Sequence, residues 1–548
     1  MSILGKKWII KNTSSHLSTL EKILENREVT LHEELTLHDP YLFKDMEKAV
    51  ARIDQALDNQ ERIIIFGDYD VDGITAAAIL VHTLKKLNAN ISYRLPNRLK
   101  DGYGLSEKFI DEFIEKEVKL IITVDCGISC YDAIKKAKEN GIDAIITDHH
   151  TIPKNIPEHA VAIIHPKLDN NYPYPELTGA GVSLKLAQAL LKDEQELFTS
   201  LIDLASLGTV ADLGPLTGEN RFIVKKGLEV LAQTKWVGLK KIMNIALVKE
   251  SDELDTNTIG FRIAPRINAA GRIGDPYIAL SLLLEESEND KVNLLGSRLE
   301  NLNIERQQMT ESALNEAIES LQMDHNDPPI LIAEHPDWHV GILGLIASKL
   351  AEKYGRPAII MQDFGDMLVA SGRSPGYFNI TEALEFCKEY LVSYGGHAQA
   401  AGFNLKKENL INFRAKLYQY ALQKMQNIDT KPVLEIDCEL SENEMHLDFL
   451  TEIEQLKPFG IANKTPTFLI HKVEPLFIDQ VGKAKEHLKF SIKSENKNID
   501  VIAFQMGQYA EEIRDHRQID LVFHLDRNKW NDRENLQIRA LDFRKSEE

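Results

Sequence analysis

The stretch Ile63-Ile64-Ile65-Phe66-Gly67-Asp68-Tyr69-Asp70-Val71-Asp72-Gly73 decides how the chain is read. An apolar run of strand length stops at three carboxylates set at every second position, and an apolar, helix-forming stretch begins at Ile74. Three like charges so close together repel one another, and no Lys or Arg lies among them. Bound divalent cations would make the arrangement favourable. The stretch predicts a metal site at the end of a strand.

Working outward, apolar strand, polar turn and amphipathic helix alternate, the pattern of an α/β fold with a parallel sheet and crossover helices. Residues 62–66 run into the acidic loop, and residues 119–124 end at Asp125 before a helix over 131–140. Residues 143–147 end at Asp148-His149-His150, and 160–164 end at His165-Pro166. In open parallel sheets the ligand crevice lies beyond the carboxyl ends of the strands, so Asp68, Asp70, Asp72, Asp125, Asp148, His149, His150 and His165 are expected on one rim. One Asp after a strand is usually a turn or a helix cap. Four strands ending this way call for a shared purpose.

Later segments offer partners for such a site. The mostly apolar run 204–211 ends at Asp212 beside Gly214-Pro215, a remote ligand or a cap. Residues 264–272 place Arg266, Asn268 and Arg272 in a small-residue segment, expected as a loop contacting phosphate oxygens. Leu295, Leu299, Leu302, Met309, Ala313, Ala317 and Leu321 keep helical spacing across residues 285–322. A continuous helix there would span about 55 Å and act as a strut between two lobes.

A second α/β lobe follows, with polar content in Ser371-Gly372-Arg373-Ser374 and in residues 395–402, which include Gly395, Gly396 and His397. Glycine beside Arg, Ser and His lets backbone N–H groups and donor side chains surround an anion. Beyond residue 430, short β-like runs predict a small all-β barrel or sandwich. Residues 483–497 hold five lysines against two glutamates, suited to a phosphate backbone or to a charged strand edge.

Bulk properties narrow the class. With 548 residues and 43% hydrophobic content the chain is globular and multidomain. It has no apolar run long enough to span a membrane and no signal-peptide pattern at its start, so a cytoplasmic protein is expected. Cys126, Cys130, Cys387 and Cys438 fit no paired metal spacing and read as reduced thiols. A net charge of -20 opposes a polyanionic partner only in bulk, because the local sign along a groove decides whether phosphates lie there. Asp and His donors without a cysteine cluster suit Mn²⁺ or Mg²⁺ rather than structural zinc. Two such ions about 3.5–4 Å apart activate water for in-line attack on phosphorus, so hydrolysis of a phosphate ester or anhydride is expected.

Taken in order, Asp70-Val71-Asp72-Gly73, Val124-Asp125-Cys126-Gly127, Asp148-His149-His150 and Gly395-Gly396-His397-Ala398-Gln399-Ala400-Ala401-Gly402 resemble the DHH phosphoesterase superfamily. Pro96-Asn97-Arg98 with Asp101-Gly102-Tyr103-Gly104-Leu105, and the strings at 205–213 and 265–272, resemble its bacterial RecJ branch. The similarity runs from residue 40 onward and includes the β domain. It implies a processive 5′→3′ exonuclease for single-stranded DNA that releases mononucleotides, uses two Mn²⁺ or Mg²⁺ ions, and serves recombination and repair. By the same resemblance Asp70 and Asp72 bind one ion each, Asp125 bridges them, and His149 and Asp212 complete the second site. Asp68 and His150 lie at or just behind the ligands, His150 against the scissile phosphate. Arg266, Ser371 and Arg373 hold the 5′ phosphate and Tyr103 stacks on a base, with Arg98, Asn268, Arg272, Gly372 and His397 in the same substrate-binding set. Phe66 stands where some superfamily members supply a metal-binding His, which leaves that ion to Asp68 or more weakly held.

The implied architecture is two α/β lobes joined by a long helix, plus an OB-like β domain that grips the strand. Its boundaries fall at 1–50 for an N-terminal extension, 51–284 for the DHH catalytic domain and 285–325 for the connecting helix. The DHH-associated domain takes 326–428 and the OB-like domain 429–548. A monomer is expected, with single-strand-binding protein and a helicase as further partners. The rivals are a phosphodiesterase for short oligonucleotides or cyclic dinucleotides, a pyrophosphatase, and a non-catalytic scaffold for single strands. The β domain, the Gly-Gly-His string and the complete set of carboxylates, respectively, weigh against these.

Overall fold

The structure, a computed structural model, describes residues 2–29, 35–98, 100–102, 104–168, 171–249, 251–322, 328–426, 428–494, 497–530 and 533–546. Two compact units result: Leu35–Ile428 with Gly460–Ala462, and Met1–Glu34 with Asp429–Phe459 and Asn463–Glu548.

The larger unit is built on a parallel sheet with strand order Ile91–Arg94, Ile63–Gly67, Leu120–Val124, Asp143–Thr147, Ala162–Ile164. Side chains alternate across a strand, so Ile63 and Ile65 enter one apolar layer while Ile64 and Phe66 enter the other. Burial on both faces is why the strand reads as an unbroken apolar run. The Phe66 ring packs 5.0 Å from Phe109 and 6.4 Å from Phe113, which commits it to the core.

Asp70 caps the next helix, Val71–Lys86, by accepting the Gly73 N–H at 3.1 Å, so that helix begins three residues ahead of Ile74. The segment expected as a loop at 264–272 is instead a helix, Ala264–Ile273, entered through a π-helical turn, Thr258–Ile263. Pro265 in its first turn suits a helix start. Its small residues let it lie close: a Cβ on Gly271 would sit 2.0 Å from the Tyr69 carbonyl oxygen. This brings Arg272 to the acidic loop.

The connecting helix spans Asp290–Gln322, about 50 Å, and starts five residues later than the spacing predicts, with Asn289 Oδ1 accepting the Val292 N–H. Leu295 and Leu299 are buried in the core of the parallel-sheet lobe, whereas Ala313 and Ala317 are buried with Ile342, Ile346 and Leu350 of the next lobe. The strut is therefore set into two separate cores.

The second lobe has strand order Leu391–His397, Ala400–Lys406, Met367–Arg373, Ala358–Asp363, Leu331–His335, antiparallel except for its last pair. Ser371, Gly372 and Arg373 thus lie within a strand, and the Gly-Gly-His string forms an exposed edge hairpin.

In the smaller unit, seven strands share one apolar core with the helix Leu447–Glu454. The order runs from Cys438–Glu439 to Pro475–Val481, and among the described residues these end strands do not pair; the all-β, OB-like domain expected beyond residue 430 is this sheet. Lys7–Ile10 adds in parallel to Val433–Ile436, placing the start of the chain in this unit. Among the described residues no helix is long and apolar enough to cross a membrane.

Candidate active site

Three groups of Asp and His side chains meet beyond the carboxyl ends of the parallel strands. Asp68, Asp70 and Asp125 form one; Asp72, His149 and Asp212 a second; Asp125, His149 and His150 a third. Within each group the potential ligand atoms lie within 4.8 Å of one another. The seven side chains come from three strand ends, one helix start and one helix end.

Asp125 follows its strand in the left-handed region, φ 58°, which Asp tolerates better than most residues and which turns its carboxylate into the cluster. His149 Nε2 lies 3.1 Å from Asp125 Oδ1, 3.7 Å from Asp212 Oδ2 and 3.8 Å from Asp72 Oδ2. No aligned hydrogen bond reaches Asp125 Oδ1, and Asp68 Oδ1 is likewise buried without a partner. Buried, unpaired carboxylate oxygens are costly, and a divalent cation satisfies them. Oxygen and imidazole donors fit Mn²⁺ or Mg²⁺.

Asp72 is held from a distant part of the chain. The helix Gly179–Leu190 points its N-terminus at the carboxylate, with the Gly179 N–H donating at 2.6 Å and the Ala180 N–H at 2.9 Å. Asp212 ends the helix Gln195–Ala211. Helix ends thus hold two of the carboxylates.

Crowding and burial act together on the acids. Burial, then Asp70, raises Asp68 to about 8 and Asp72 to about 7. Burial and neighbouring carboxylates also push Asp125 and Asp212 well above the ordinary range. Burial and His150 lower His149 to about 3, leaving the neutral imidazole that a metal ligand requires. His150 goes the other way: burial is outweighed by Asp148, whose Oδ1 lies 2.7 Å from Nδ1, and its pKa rises to about 9. Asp148 is lowered to about 2, burial being overcome by His150 and by backbone N–H donors including Ile128. His165 lies behind the cluster, its Nε2 2.8 Å from the His150 carbonyl oxygen.

Facing the acids is a group of guanidiniums. Arg98 lies over the Tyr69 ring at 4.2 Å, and Arg272 donates to the Gly341 carbonyl of the second lobe at 3.3 Å. Arg373 donates to Ser371 Oγ at 3.2 Å. Burial and Arg98 lower Arg272 to about 10, and the same two causes lower Arg373. Charges that depress one another in this way favour a polyanionic ligand. Asn268 is half-buried one turn before Arg272. His397 lies two strands from Arg373, about 10 Å away. Arg266 is not brought to this group: Glu300 closes it in a two-pronged ion pair at 2.6 and 3.0 Å. Tyr103 lies outside the described residues.

The sequence did not show the parts taken by Gly179, Ala180 and Arg306, nor how Asp148 acts. Gly179 and Ala180 act through backbone N–H groups, hinted at only by Thr178 before a Gly-Ala-Gly helix start. Asp148, expected on the rim, instead orients His150 from behind. Arg306, on the strut helix, has a buried Nε without a partner, and burial with nearby Arg266 lowers its pKa.

Residues 62–209 match the DHH family, N-terminal domain, 327–423 the DHHA1 domain and 436–542 the RecJ OB domain. The single-stranded-DNA-specific exonuclease RecJ of Bacillus subtilis (strain 168) is 37% identical over 95% of this chain, which spans 66% of that protein. The protein of that name from Haemophilus influenzae is 31% identical, with 96% of each chain covered. RecJ from Thermus thermophilus, solved with Mn²⁺, superposes with a TM-score of 0.85 at 29% identity, over 99% of this chain and 80% of that one. Its structure with Mg²⁺ gives a TM-score of 0.79 at 28% identity, over 99% and 79%. With its DHH, DHHA1 and RecJ OB domains in that order, the chain belongs to the RecJ family.

Proposed function

We propose that this protein is a single-stranded-DNA-specific exonuclease that hydrolyses phosphodiester bonds from the 5′ end, releases 5′-mononucleotides and serves DNA recombination and repair. The observation that carries this reading is the convergence of a three-carboxylate group and a carboxylate–histidine group opposite a guanidinium group spanning both lobes.

Asp68, Asp70 and Asp125 would hold one divalent ion, and Asp72, His149 and Asp212 the other, with Asp125 between them. Bound there, Mn²⁺ or Mg²⁺ lowers the pKa of an attacking water and offsets charge on the phosphate. His150, kept protonated by Asp148, donates from Nε2 to a phosphate oxygen and later to the leaving oxygen. Arg272, Arg373 and Arg306 receive the terminal 5′ phosphate, with Ser371 adding a hydroxyl donor and Arg98 beside Tyr69 steering the strand. These contacts touch phosphates and no base edges, so selectivity is for strand form rather than sequence.

The domain reading takes 51–284 as catalytic, 285–325 as connecting helix, 326–428 as substrate-binding and 429–548 as OB-like, with 1–50 as an extension. A monomer in the cytoplasm, supplied with strand by a helicase and single-strand-binding protein, completes the reading.

The test is a nuclease assay on 5′- and 3′-labelled strands with Mn²⁺, Mg²⁺ or chelator, alongside Asp125→Ala. Immediate release of the 5′ label as mononucleotide, lost in chelator and in the variant, is the expected result. Equal degradation of blunt duplex, or full activity of Asp125→Ala, would overturn the reading.

A further inference from the structure

Away from the acids, the parallel-sheet lobe contains a cavity of about 510 Å³ whose walls are the ends of three helices and the turn Pro40–Leu42. Gln188 and Lys192, four residues apart, line it from the end of the helix Gly179–Leu190. Phe198 comes from the first turns of Gln195–Ala211, and Phe222 and Lys226 from Gly218–Leu231. Tyr41 closes one side, with the Lys192 ammonium 5.9 Å from its ring centre.

The chemistry of this cavity is divided. Phe198, Phe222 and Tyr41 give it aromatic walls. Asp39 also lines it, with its Oδ1 already accepting the Tyr41 N–H at 2.9 Å. Lys192 is exposed and has no carboxylate within ion-pair distance among the described residues, while Lys226 has only the weak pair with Glu229 on its own helix. A flat ring joined to an anion matches the aromatic walls and the two lysines.

We propose that this cavity binds a nucleoside monophosphate, its base against Tyr41 and its phosphate at Lys192 and Lys226. Choosing that ligand over other amphipathic anions rests on the proposed function, which generates nucleoside monophosphates. The placement adds to the case. The two helices whose far ends build the cavity end at the metal cluster, one gripping Asp72 with its first N–H groups and the other terminating at Asp212. A ligand here bears on both carboxylates through rigid elements.

Calorimetry with dAMP on the full-length protein in chelator tests this without any nuclease reaction, so it fails separately from the proposed function. Two dAMP per chain are expected, one lost in Arg373→Ala and the other weakened about tenfold in Lys192→Glu, a surface change that leaves the melting temperature unaltered. In turnover assays dAMP should lower kcat of the wild type but act on Lys192→Glu only through KM. A single dAMP abolished by Arg373→Ala would overturn the proposal. So would a Lys192→Glu variant that binds like wild type, inorganic phosphate binding as tightly as dAMP, or an acidic peptide displacing dAMP from this cavity.

Discussion

Gly179 donates its backbone N–H to the Asp72 carboxylate at 2.6 Å, and a Cβ at Gly179 would lie 2.4 Å from Asp125 Oδ1. One glycine thus allows a helix N-terminus to reach two carboxylates of different ligand groups at once. A side chain there must displace either the helix or Asp125. Gly179→Ala is expected to weaken Mn²⁺ binding about 10–100-fold, with loss of activity that excess Mn²⁺ partly restores. Calorimetric Mn²⁺ titration and kcat measured against Mn²⁺ concentration check this.

Asp148 sets the charge of His150. With Asp148 in place the imidazole keeps its proton until the pH passes about 9; without that carboxylate it falls back toward its ordinary value of 6.5. Asp148→Asn should therefore lose activity earlier as the pH rises, with the alkaline fall moving down toward neutrality. A pH–rate profile of both proteins, each saturated with Mn²⁺, reports the shift.

The metal-free site should destabilise the fold as the pH rises. Asp68 and Asp72 hold protons to about 8 and about 7 in the folded chain, against about 4 in an unfolded one. The folded state therefore binds more protons at these two groups across that window, and the stability they contribute is full below pH 4 and falls as the pH climbs to 8. In chelator the melting temperature should drop by several degrees between pH 5 and 8, and the double change Asp68→Asn, Asp72→Asn should flatten the curve. Mn²⁺ binds the ionised form, so its stabilising effect should grow over the same range.

Arg306 supplies a guanidinium from the strut helix, with Nη2 donating to Asn303 at 2.7 Å and Nε unpaired. Arg306→Gln should raise KM about tenfold for a 5′-phosphorylated strand while leaving a 5′-hydroxyl strand nearly unchanged. Steady-state kinetics on the two strands separate these outcomes. An equal effect on both would make Arg306 structural.

Much of the site was legible from residues 62–150 because local rules govern it. A doubly buried parallel strand is apolar throughout, and its carboxyl end is where polar groups collect, so Asp68, Asp125 and His149 stand out together, as a recurrence over several strand ends. Asp212 was visible only as an acid after an apolar run, since nothing local distinguishes a remote ligand from a helix cap. The arginines were read least well. Arg266 and Arg272 look alike in a small-residue segment, yet Glu300 on the strut closes one while the other is left beside the acidic loop.

The sequence by itself determined the strand ends, the donor chemistry and the helical strut, because these follow from side-chain periodicity and charge within short windows. Only the tertiary structure decided that Gly179 and Ala180 would clamp Asp72, that Asp148 would charge His150, and which arginines would stay open to an anion. Those outcomes depend on backbone N–H groups and ion pairs brought together across long separations in the chain. Such contacts form only when whole elements pack, and they leave no periodic trace in the residues that make them.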